Sequence, residues 1–358
     1  MARRSRKAFG SRWLQQSLNA ITRSAMRAGQ QALKQALRNT PKRLPALPLP
    51  ALPKPTRVRR ASVRPQTPAT PGWTSGVAIG PTGARRYRLY KPPGIRRSER
   101  VPLLVMLHGC DQDATALAAS SRMNRLAARE RVLVLYPEQD RLSNAHGCWN
   151  WFDTRSGRAQ REATSIDAAI EQVCLLQPVD RSRIAIAGLS AGASMAALLA
   201  TRRPGRFRAV AMHSGIAPGI AHSSVTALSA MRGRRRSMLA LPASATTTAW
   251  PALLVIQGSA DRIVAVENGV EAVRLWAQRA GTSRTTTRVV QRGSRRATTI
   301  SDHRAGGRIV ATLCVVEGLG HAWSGGAANL TYSDPSGPDA TRMIWRLCAR
   351  EFARTGVP

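Results

Sequence analysis

The sequence predicts an α/β fold with a mostly parallel central sheet, because short apolar segments alternate with helical patterns through most of the chain. Continuous apolar runs of this kind suit strands that are buried on both faces of a parallel sheet. The segment Arg86–Tyr90 comes first and alternates apolar with polar residues, which predicts a half-buried strand. Six further strands are predicted at Pro102–Leu107, Val132–Tyr136, Arg183–Ala187, Arg208–Met212, Ala252–Ile256 and Ile309–Val316.

Helical patterns lie between these runs. Ile166, Ile170 and Val173 form one apolar stripe, and Ala191–Ala200 is small or apolar on every side. The last predicted helix is Ala340–Ala353. No apolar stretch approaches the roughly 20 residues that a membrane-spanning helix needs, so the sequence predicts no such helix.

The formal net charge of +36 is unevenly distributed, with 55 Lys and Arg against 19 Asp and Glu. Residues 1–98 contain 22 of the basic residues and no acid. We therefore predict three segments: a basic amphipathic helix in 1–40, a proline-rich linker in 41–72, and an α/β domain in 73–358. The predicted helix has an apolar stripe formed by Leu14, Leu18, Ile21, Ala25, Ala28 and Ala32.

Two interpretations of residues 1–40 stay open: a helix that lies on an anionic or apolar surface, or a basic tail that is only partly helical alone. A nucleic-acid-binding protein is the competing class suggested by the charge. Against it, the 16 aromatic residues are not interleaved with the basic ones, and no recognised binding motif is present. No apolar segment follows the first basic residues, so a standard secretory signal is not visible, whereas an organelle transit peptide is still compatible with this start.

The most informative motif is Gly188-Leu189-Ser190-Ala191-Gly192, which connects a predicted strand to a predicted helix. A tight strand-to-helix turn crowds the backbone on both sides of the serine, and glycine is the residue that fits there. Such a turn exposes the serine hydroxyl beside the helix N-terminus. Ser190 is therefore our candidate nucleophile, and a purely structural turn is the alternative.

A serine nucleophile needs a base and an acid that orients the base. His321 follows the run Ile309–Val316 at a strand's carboxyl end and is the candidate base. His303 is the alternative, although we expect it in a polar loop before a strand. Asp261 follows another predicted strand and is the candidate acid, with a helix N-cap as its alternative role.

The oxyanion of an acyl-transfer intermediate needs fixed N–H donors. We expect one from the backbone of Ala191, the residue after the nucleophile, and one from Cys110 in the loop that begins His108-Gly109. His108 itself is expected to hold this loop rather than to take part in the reaction.

Several strings of this chain are distinctive: LHGCDQDA at 107–114, LYPEQ at 135–139, CWNWF at 148–152, VDRSRIAIAGLSAGASMAA at 179–197, HSG at 213–215, QGSADRIV at 257–264, GLGHAWSGG at 318–326 and YSDPSGPDATR at 332–342. With these strings the chain resembles the polyhydroxybutyrate-depolymerase family of esterases, an α/β-hydrolase group that also includes feruloyl and acetylxylan esterases. The resemblance implies an α/β-hydrolase fold, a triad of Ser190, Asp261 and His321, and Cys110 N–H in the oxyanion hole. It also implies short-chain hydroxyalkanoate polyesters, their oligomers or related esters as substrates.

Four aromatic residues lie near these motifs: Trp149, Trp151 and Phe152 together, and Trp323 two residues after the candidate base. We expect Trp149, Trp151 and Trp323 to line an apolar acyl cleft. Core packing is an equally supported alternative for the cluster.

The five cysteines have neither a dense disulfide pattern nor a metal-ligand spacing, so we expect no metal and no other cofactor. The resemblance implies a bridge between Cys110 and Cys148, while Cys174, Cys314 and Cys348 are expected to be buried thiols. The resemblance and a bridge favour an extracellular location. The lack of a visible signal favours a cytoplasmic or granule-associated one, and localisation stays open.

The expected partner is therefore an ester or polyester substrate, with residues 1–72 as a tether to a polymer granule or an anionic surface. A feruloyl- or acetylxylan-type esterase is the nearest alternative. The alternative from a different class is a basic nucleic-acid- or surface-binding protein with an inactive hydrolase domain.

Overall fold

The computed structural model describes residues 72–239 and 249–354. The predicted segment 1–40, and all of the predicted linker except its last residue, lie outside the described residues. The strands are β1 Trp73–Gly80, β2 Gly83–Tyr90, β3 Val101–Leu107, β4 Leu133–Pro137, β5 Val179–Leu189, β6 Ala209–His213, β7 Ala252–Gly258, β8 Arg284–Val290, β9 Thr298–Ala305, β10 Arg308–Val316, β11 Trp323–Ser324 and β12 Ser333–Asp334. The helices are α1 Ala114–Ser121, α2 Met123–Glu130, α3 Arg158–Leu176, α4 Ala191–Arg202, α5 Ser224–Met231, α6 Glu267–Arg279 and α7 Ala340–Ala353.

Ten strands form one sheet in the order β1-β2-β4-β3-β5-β6-β7-β10-β9-β8. The six central strands from β4 to β10 are parallel. The outer strands on both sides are antiparallel to their neighbours. The predicted mostly parallel sheet is therefore confirmed, and each of the seven predicted strands falls within or overlaps an observed one. The short strands β11 and β12 form a separate pair.

The central strands are apolar throughout because helices cover both faces of the sheet. Successive side chains of a strand point to opposite faces. Leu103 and Val105 of β3 belong to the core beneath α3, α4 and α6, whereas Leu104 and Met106 belong to the core beneath α1, α2 and α7. Every residue of β3, β4, β6 and β7 is buried.

The three helices predicted within residues 73–358 are confirmed as well. α3 buries the stripe of Ile166, Ile170 and Val173, and α7 has the predicted bounds. In the described part of the chain, no helix combines the length and the hydropathy that crossing a bilayer would take. The parallel arrangement brings the carboxyl ends of β3, β5, β6, β7 and β10 to one edge of the sheet, where α/β folds bind their ligands.

Candidate active site

Ser190 lies at the sharp turn between β5 and α4, with φ of 56° and ψ of −120°. A non-glycine residue at positive φ is strained, and such strain concentrates at functional sites. The backbone N–H of Ser190 donates to the carbonyl oxygen of His213, at 2.8 Å, which fixes the turn to the end of β6. This geometry is the strand–turn–helix arrangement that the glycine-flanked serine predicts.

The two glycines that flank Ser190 are required by close backbone contacts. A Cβ atom on Gly188 would lie 2.4 Å from the carbonyl carbon of Gly192. A Cβ atom on Gly192 would lie 2.2 Å from the carbonyl oxygen of Leu107 and 2.5 Å from that of His108. The turn therefore packs directly against the end of β3, and neither position accommodates a side chain without a backbone shift.

Asp261 and His321 form a hydrogen-bonded pair. The Nδ1–H group of His321 donates to Oδ2 of Asp261 at 2.8 Å, since a carboxylate can only accept. Asp261 follows β7 and His321 follows β10, so neighbouring parallel strands bring together two residues that are 60 positions apart. With Nδ1 protonated, the Nε2 atom of His321 is available to accept a proton.

Backbone contacts between the two loops hold this pair in place. The N–H of Ala260 donates to the carbonyl oxygen of Leu319, at 3.1 Å, and the N–H of Gly318 donates to the hydroxyl of Ser259, at 2.9 Å. A Cβ atom on Gly258 would lie 2.1 Å from the Leu319 carbonyl oxygen. The loops after β7 and β10 are therefore in direct contact.

Asp261 is held ionised by its hydrogen bonds. Burial acts to raise the pKa of its carboxyl, but the bonds from His321 and from the N–H groups of Val264 and Ile263 outweigh burial and keep the pKa below its ordinary value. Both backbone bonds to Oδ1 are 2.9 Å long. Asp261 does not cap a helix, since α6 begins only at Glu267, so the N-cap alternative is wrong.

Ala191 and Cys110 stay the predicted oxyanion donors, and each follows the carboxyl end of a parallel strand. Ala191 is the first residue of α4, where backbone N–H groups have no partner within the helix. Cys110 lies in the loop after β3 and is half-buried. A disulfide connects Cys110 to Cys148, as the resemblance implies. This bridge joins the loop after β3 to the loop after β4.

His108 is a structural residue of the β3 loop. Its Nδ1–H donates to the carbonyl oxygen of Gly109, at 2.8 Å, and its Nε2 accepts the N–H of Gln139, at 3.1 Å. Burial lowers its pKa to about 4, so the ring is neutral at pH 7. The expectation that His108 holds the loop agrees with these contacts.

The structure corrects the expected role of two tryptophans. Trp149 and Trp323 have no exposed surface, so their side chains belong to the core and offer a substrate nothing to contact. The indole N–H of Trp149 donates to the carbonyl oxygen of His108, and that of Trp323 donates to the hydroxyl of Thr341, both at 3.1 Å. Trp151 is half-buried and remains a candidate contact for substrate.

Sequence reasoning missed the importance of His213. Its carbonyl oxygen holds Ser190, its Nε2 accepts the N–H of Ser324, at 3.0 Å, and its ring stacks on Trp323 with the centroids 5.2 Å apart. The buried ring thus connects the Ser190 turn to the chain that follows His321. Burial, and then the nearby His321, lower its pKa to about 3. The position of His213 at the carboxyl end of a buried strand could have indicated from the sequence that it lies beside the site.

The other expectations have mixed outcomes. His303 lies on β9, not in a loop, and its Nδ1 is 3.1 Å from the hydroxyl oxygen of Thr285. The apolar neighbours that identify buried strands are missing around His303, which explains why a loop was predicted there.

Cys314 and Cys348 are buried thiols, whereas Cys174 is only half-buried. The described residues contain no cluster of side chains suited to hold a metal ion.

A protein-family model described as "Esterase PHB depolymerase" matches residues 85–302, which is more than half of the chain. The match includes Ser190 and Asp261 and ends before His321. Poly(3-hydroxyalkanoate) depolymerase C of Paucimonas lemoignei is 37% identical over 115 residues, which are 32% of this chain and 28% of that protein. The chain thus aligns with well under half of the length of this depolymerase.

One further relative and one solved structure are also named as esterases. Feruloyl esterase B of Neurospora crassa is 26% identical over 210 residues, which are 55% of this chain and 70% of that protein. The solved structure of an acetyl xylan esterase from Aspergillus awamori superposes with a TM-score of 0.53 and 19% identity, over 70% of this chain and 93% of that one. At this identity the likeness shows the fold, and the expected α/β-hydrolase fold is confirmed.

Proposed function

The chain belongs to the esterase PHB depolymerase family, and from that premise we propose that it hydrolyses short-chain polyhydroxyalkanoate polyesters or oligomers of the poly(3-hydroxybutyrate) type. The observation that carries the proposal is the hydrogen bond between His321 Nδ1 and Asp261 Oδ2, formed at the same edge of the sheet as the strained turn at Ser190. The similarity to a poly(3-hydroxyalkanoate) depolymerase supports the choice of substrate.

In the first step we propose that His321 Nε2 accepts the proton of the Ser190 hydroxyl as its oxygen attacks the ester carbonyl carbon. The carbonyl oxygen becomes an oxyanion, which the N–H groups of Ala191 and Cys110 stabilise. Asp261 keeps the imidazole in the tautomer that leaves Nε2 free and stabilises the imidazolium that forms. The carbon–oxygen ester bond then breaks, and the alcohol leaves with the proton from His321.

In the second step water replaces the alcohol. His321 accepts a proton from the water as its oxygen attacks the carbonyl carbon of the acyl-serine, and the same N–H groups stabilise the second oxyanion. Collapse of this intermediate releases the carboxylic acid, and His321 returns the proton to the Ser190 oxygen. The cycle consumes one ester and one water, and no cofactor takes part in it.

A feruloyl- or acetylxylan-type carboxylesterase is the second candidate, because a feruloyl esterase B and a probable acetylxylan esterase A are 26% and 24% identical to this chain over 210 and 215 residues. A panel of hydroxybutyrate oligomers, feruloyl esters and acetylated xylan separates the two. We expect the highest kcat/KM on the oligomers. A higher value on either plant-derived ester would replace the polyester assignment while leaving the mechanism intact.

The role of Ser190 is tested with Ser190→Ala on a short p-nitrophenyl ester. Loss of the nucleophile should reduce kcat by at least about 10³-fold, because removal of one triad member disables the whole unit. Ser98→Ala, at an exposed position before β3, is the matched control and should keep full activity. Circular dichroism checks that both variants are folded. Substantial turnover by folded Ser190→Ala would contradict the triad.

A further inference from the structure

A cavity lies outside the group formed by Ser190, Asp261 and His321. It has a volume of about 330 Å³ and is formed by the ends of β8 and β9, the turn between them and the first turns of α7. This volume is at the lower end of the range for small-molecule sites, roughly 300–1,000 Å³. None of the three candidate catalytic residues lines it.

Positive charge dominates the lining. Asp339 is the one acidic residue of the lining, and its carboxylate already caps α7 by accepting the N–H of Arg342, at 3.0 Å, with the Arg342 guanidinium at 3.5 Å. The arginines of the lining are Arg292, Arg295, Arg296, Arg342 and Arg346.

Two of the five arginines have no side-chain hydrogen bond or ion pair within the part of the chain that the structure describes. Arg296 pairs with Asp334 at 3.1 Å, and Arg295 donates to the carbonyl oxygen of Gly337, at 2.6 Å. The guanidinium groups of Arg292 and Arg346 are exposed and make no hydrogen bond or ion pair with any residue of 72–239 or 249–354. Free guanidinium groups beside a concave surface are suited to bind a carboxylate, because their planar fork matches its two oxygens.

Thr298, which is buried, and four half-buried apolar residues complete the lining: Val290, Ile300, Pro338 and Met343. A polyanion such as a nucleic acid is held mainly through its phosphates and needs no such apolar surface. An anion with a short aliphatic part uses both the guanidinium groups and the apolar side chains. The lining therefore favours a small amphipathic carboxylate over a polyanion.

A neighbouring cavity of about 200 Å³ strengthens the positive field. It shares Arg295, Asp339 and Arg342 with the first cavity. It adds Arg122, Arg125 and Arg129 from the junction of α1 and α2 and from α2 itself. Adjacent charges of one sign raise the local concentration of the opposite ion.

We propose that the cavity lined by Arg292 and Arg346 binds an organic monocarboxylate with a short aliphatic chain, held by these two guanidinium groups and by the apolar residues between β8, β9 and α7. Carboxylates of this class are the acids that ester hydrolysis releases, so the identification of the ligand as a reaction product rests on the proposed function. The carboxylate chemistry itself rests on the lining.

The probe for the test is hexanoate, titrated into the full-length protein by isothermal calorimetry, with 1-hexanol as the neutral analogue. The variant Arg292→Gln/Arg346→Gln removes both free cations. We expect it to bind hexanoate at least tenfold more weakly than the wild type, and the wild type to bind hexanol at least tenfold more weakly than hexanoate. Added salt should weaken the binding of hexanoate.

The matched control is Arg97→Gln/Arg284→Gln, which removes two exposed arginines outside both cavities and should bind hexanoate as the wild type does. Equal hexanoate binding by the Arg292/Arg346 variant and the wild type would overturn the proposal, as would equal binding of hexanol and hexanoate. Binding of a short oligonucleotide that depends on Arg292 and Arg346, without binding of hexanoate, would instead show a polyanion surface.

Hydrolysis of p-nitrophenyl butyrate is measured on the same samples. The Arg292/Arg346 variant should retain the wild-type rate at low product concentration, because neither arginine belongs to the proposed catalytic machinery. Hydrolysis by a wild-type protein that binds no hexanoate would overturn this inference alone. Carboxylate binding by a wild-type protein that hydrolyses no ester would overturn the proposed function alone.

Discussion

Three histidines beside the sheet edge illustrate how environment sets the role of one side chain. The Nδ1 atom of His321 is bonded to the ionised Asp261, and its Nε2 atom has no hydrogen-bond partner among the residues that the structure describes. His108 and His213 have both ring nitrogens engaged in hydrogen bonds and are buried. A histidine with both nitrogens occupied by structural bonds cannot exchange protons with a substrate. The sequence contains six histidines. The hydrogen bonds distinguish the proposed base, His321, from the structural residues His108 and His213.

We predict that His108 and His213 make the protein sensitive to acid. Their pKa values in the folded protein are about 4 and about 3, against about 6.5 in an unfolded chain. Between these limits the unfolded chain binds protons that the folded protein does not, so the free energy of unfolding falls as the pH drops from about 6.5. At pH 4.5, about two units below 6.5, the loss is about 3 kcal/mol per histidine, because each unit is worth about 1.4 kcal/mol.

Urea unfolding at pH 7 and pH 4.5 measures this loss in the wild type and in His213→Gln. The variant removes one of the two groups and should lose less stability on acidification, although it starts from a lower value. His222→Gln, at a half-buried position, is the control and should follow the wild type. The same pH dependence in both variants would contradict the assignment of acid sensitivity to His213.

At the scale of elements, the site is assembled from the turns that follow parallel strands. The turn after β5 carries Ser190, the loop after β7 carries Asp261, and the loop after β10 carries His321. Close backbone contacts at Gly192 and Gly258 set the separation of these turns. Packing of backbone on backbone, rather than of side chains, therefore determines the positions of the proposed catalytic groups.

We predict that Gly192→Ala lowers both stability and activity. The new methyl group would overlap the carbonyl oxygens of Leu107 and His108, and such overpacking typically costs about 1–3 kcal/mol. Because Gly192 lies in the first turn of α4, the strain should also displace Ser190 and reduce kcat. Urea unfolding and hydrolysis of a soluble ester measure the two effects.

Gly320→Ala is the control for Gly192→Ala, since a Cβ atom at Gly320 would have no neighbour within 4 Å. Its free energy of unfolding should change little or rise slightly. Equal stability of Gly192→Ala and Gly320→Ala would show that the turn accepts a side chain and would contradict the packing argument.

We predict a structural role for the disulfide as well. Cys110→Ser/Cys148→Ser opens a bridge between residues 38 positions apart, and loss of a native bridge typically costs about 2–4 kcal/mol. The loop that carries the proposed donor Cys110 N–H should loosen, which lowers kcat. Cys174→Ser, at a half-buried free thiol, is the control. A double variant as stable as the wild type would refute this prediction.

The sequence predicted the elements to different degrees for a physical reason. Strands buried on both faces are continuously apolar, so β3, β4, β6 and β7 were visible in the sequence. The outer strands β1, β8 and β9 were missed because their exposed faces carry polar residues. The positions of Ser190, Asp261 and His321 were predictable, because each residue follows the carboxyl end of a parallel strand. The burial of Trp149 and Trp323 depends on contacts between distant segments, which one sequence does not reveal.

At the scale of the whole molecule, the charge divides along the chain. Residues 1–72 hold 16 of the 55 Lys and Arg and no acid. In the described residues many arginines are paired with acids, for example Arg183 with Asp180 and Arg274 with Glu271. The N-terminal charge has no acids of its own segment to pair with, so we propose that this segment supplies the attraction to an anionic or granule surface.

We predict that a truncated chain beginning at Trp73 loses most of its binding to polymer granules and to vesicles with anionic lipid. The full chain should sediment with both, and added salt should release it from the vesicles. Equal hydrolysis of a soluble ester by the two chains is the control, because it shows that the truncated chain is folded. Equal sedimentation of the truncated and the full chain would contradict the tether.

The strained backbone at Ser190 affects how variants of this protein should be selected in the laboratory. Glycine accepts a φ of 56° without the steric penalty that a side chain carries. The substitution Ser190→Gly should therefore relieve the backbone strain of the turn while it removes the proposed nucleophile. If random variants were selected for thermal stability alone, this substitution would be enriched, and the selected protein would be more stable but inactive. Directed evolution of this fold must screen turnover and thermal resistance together.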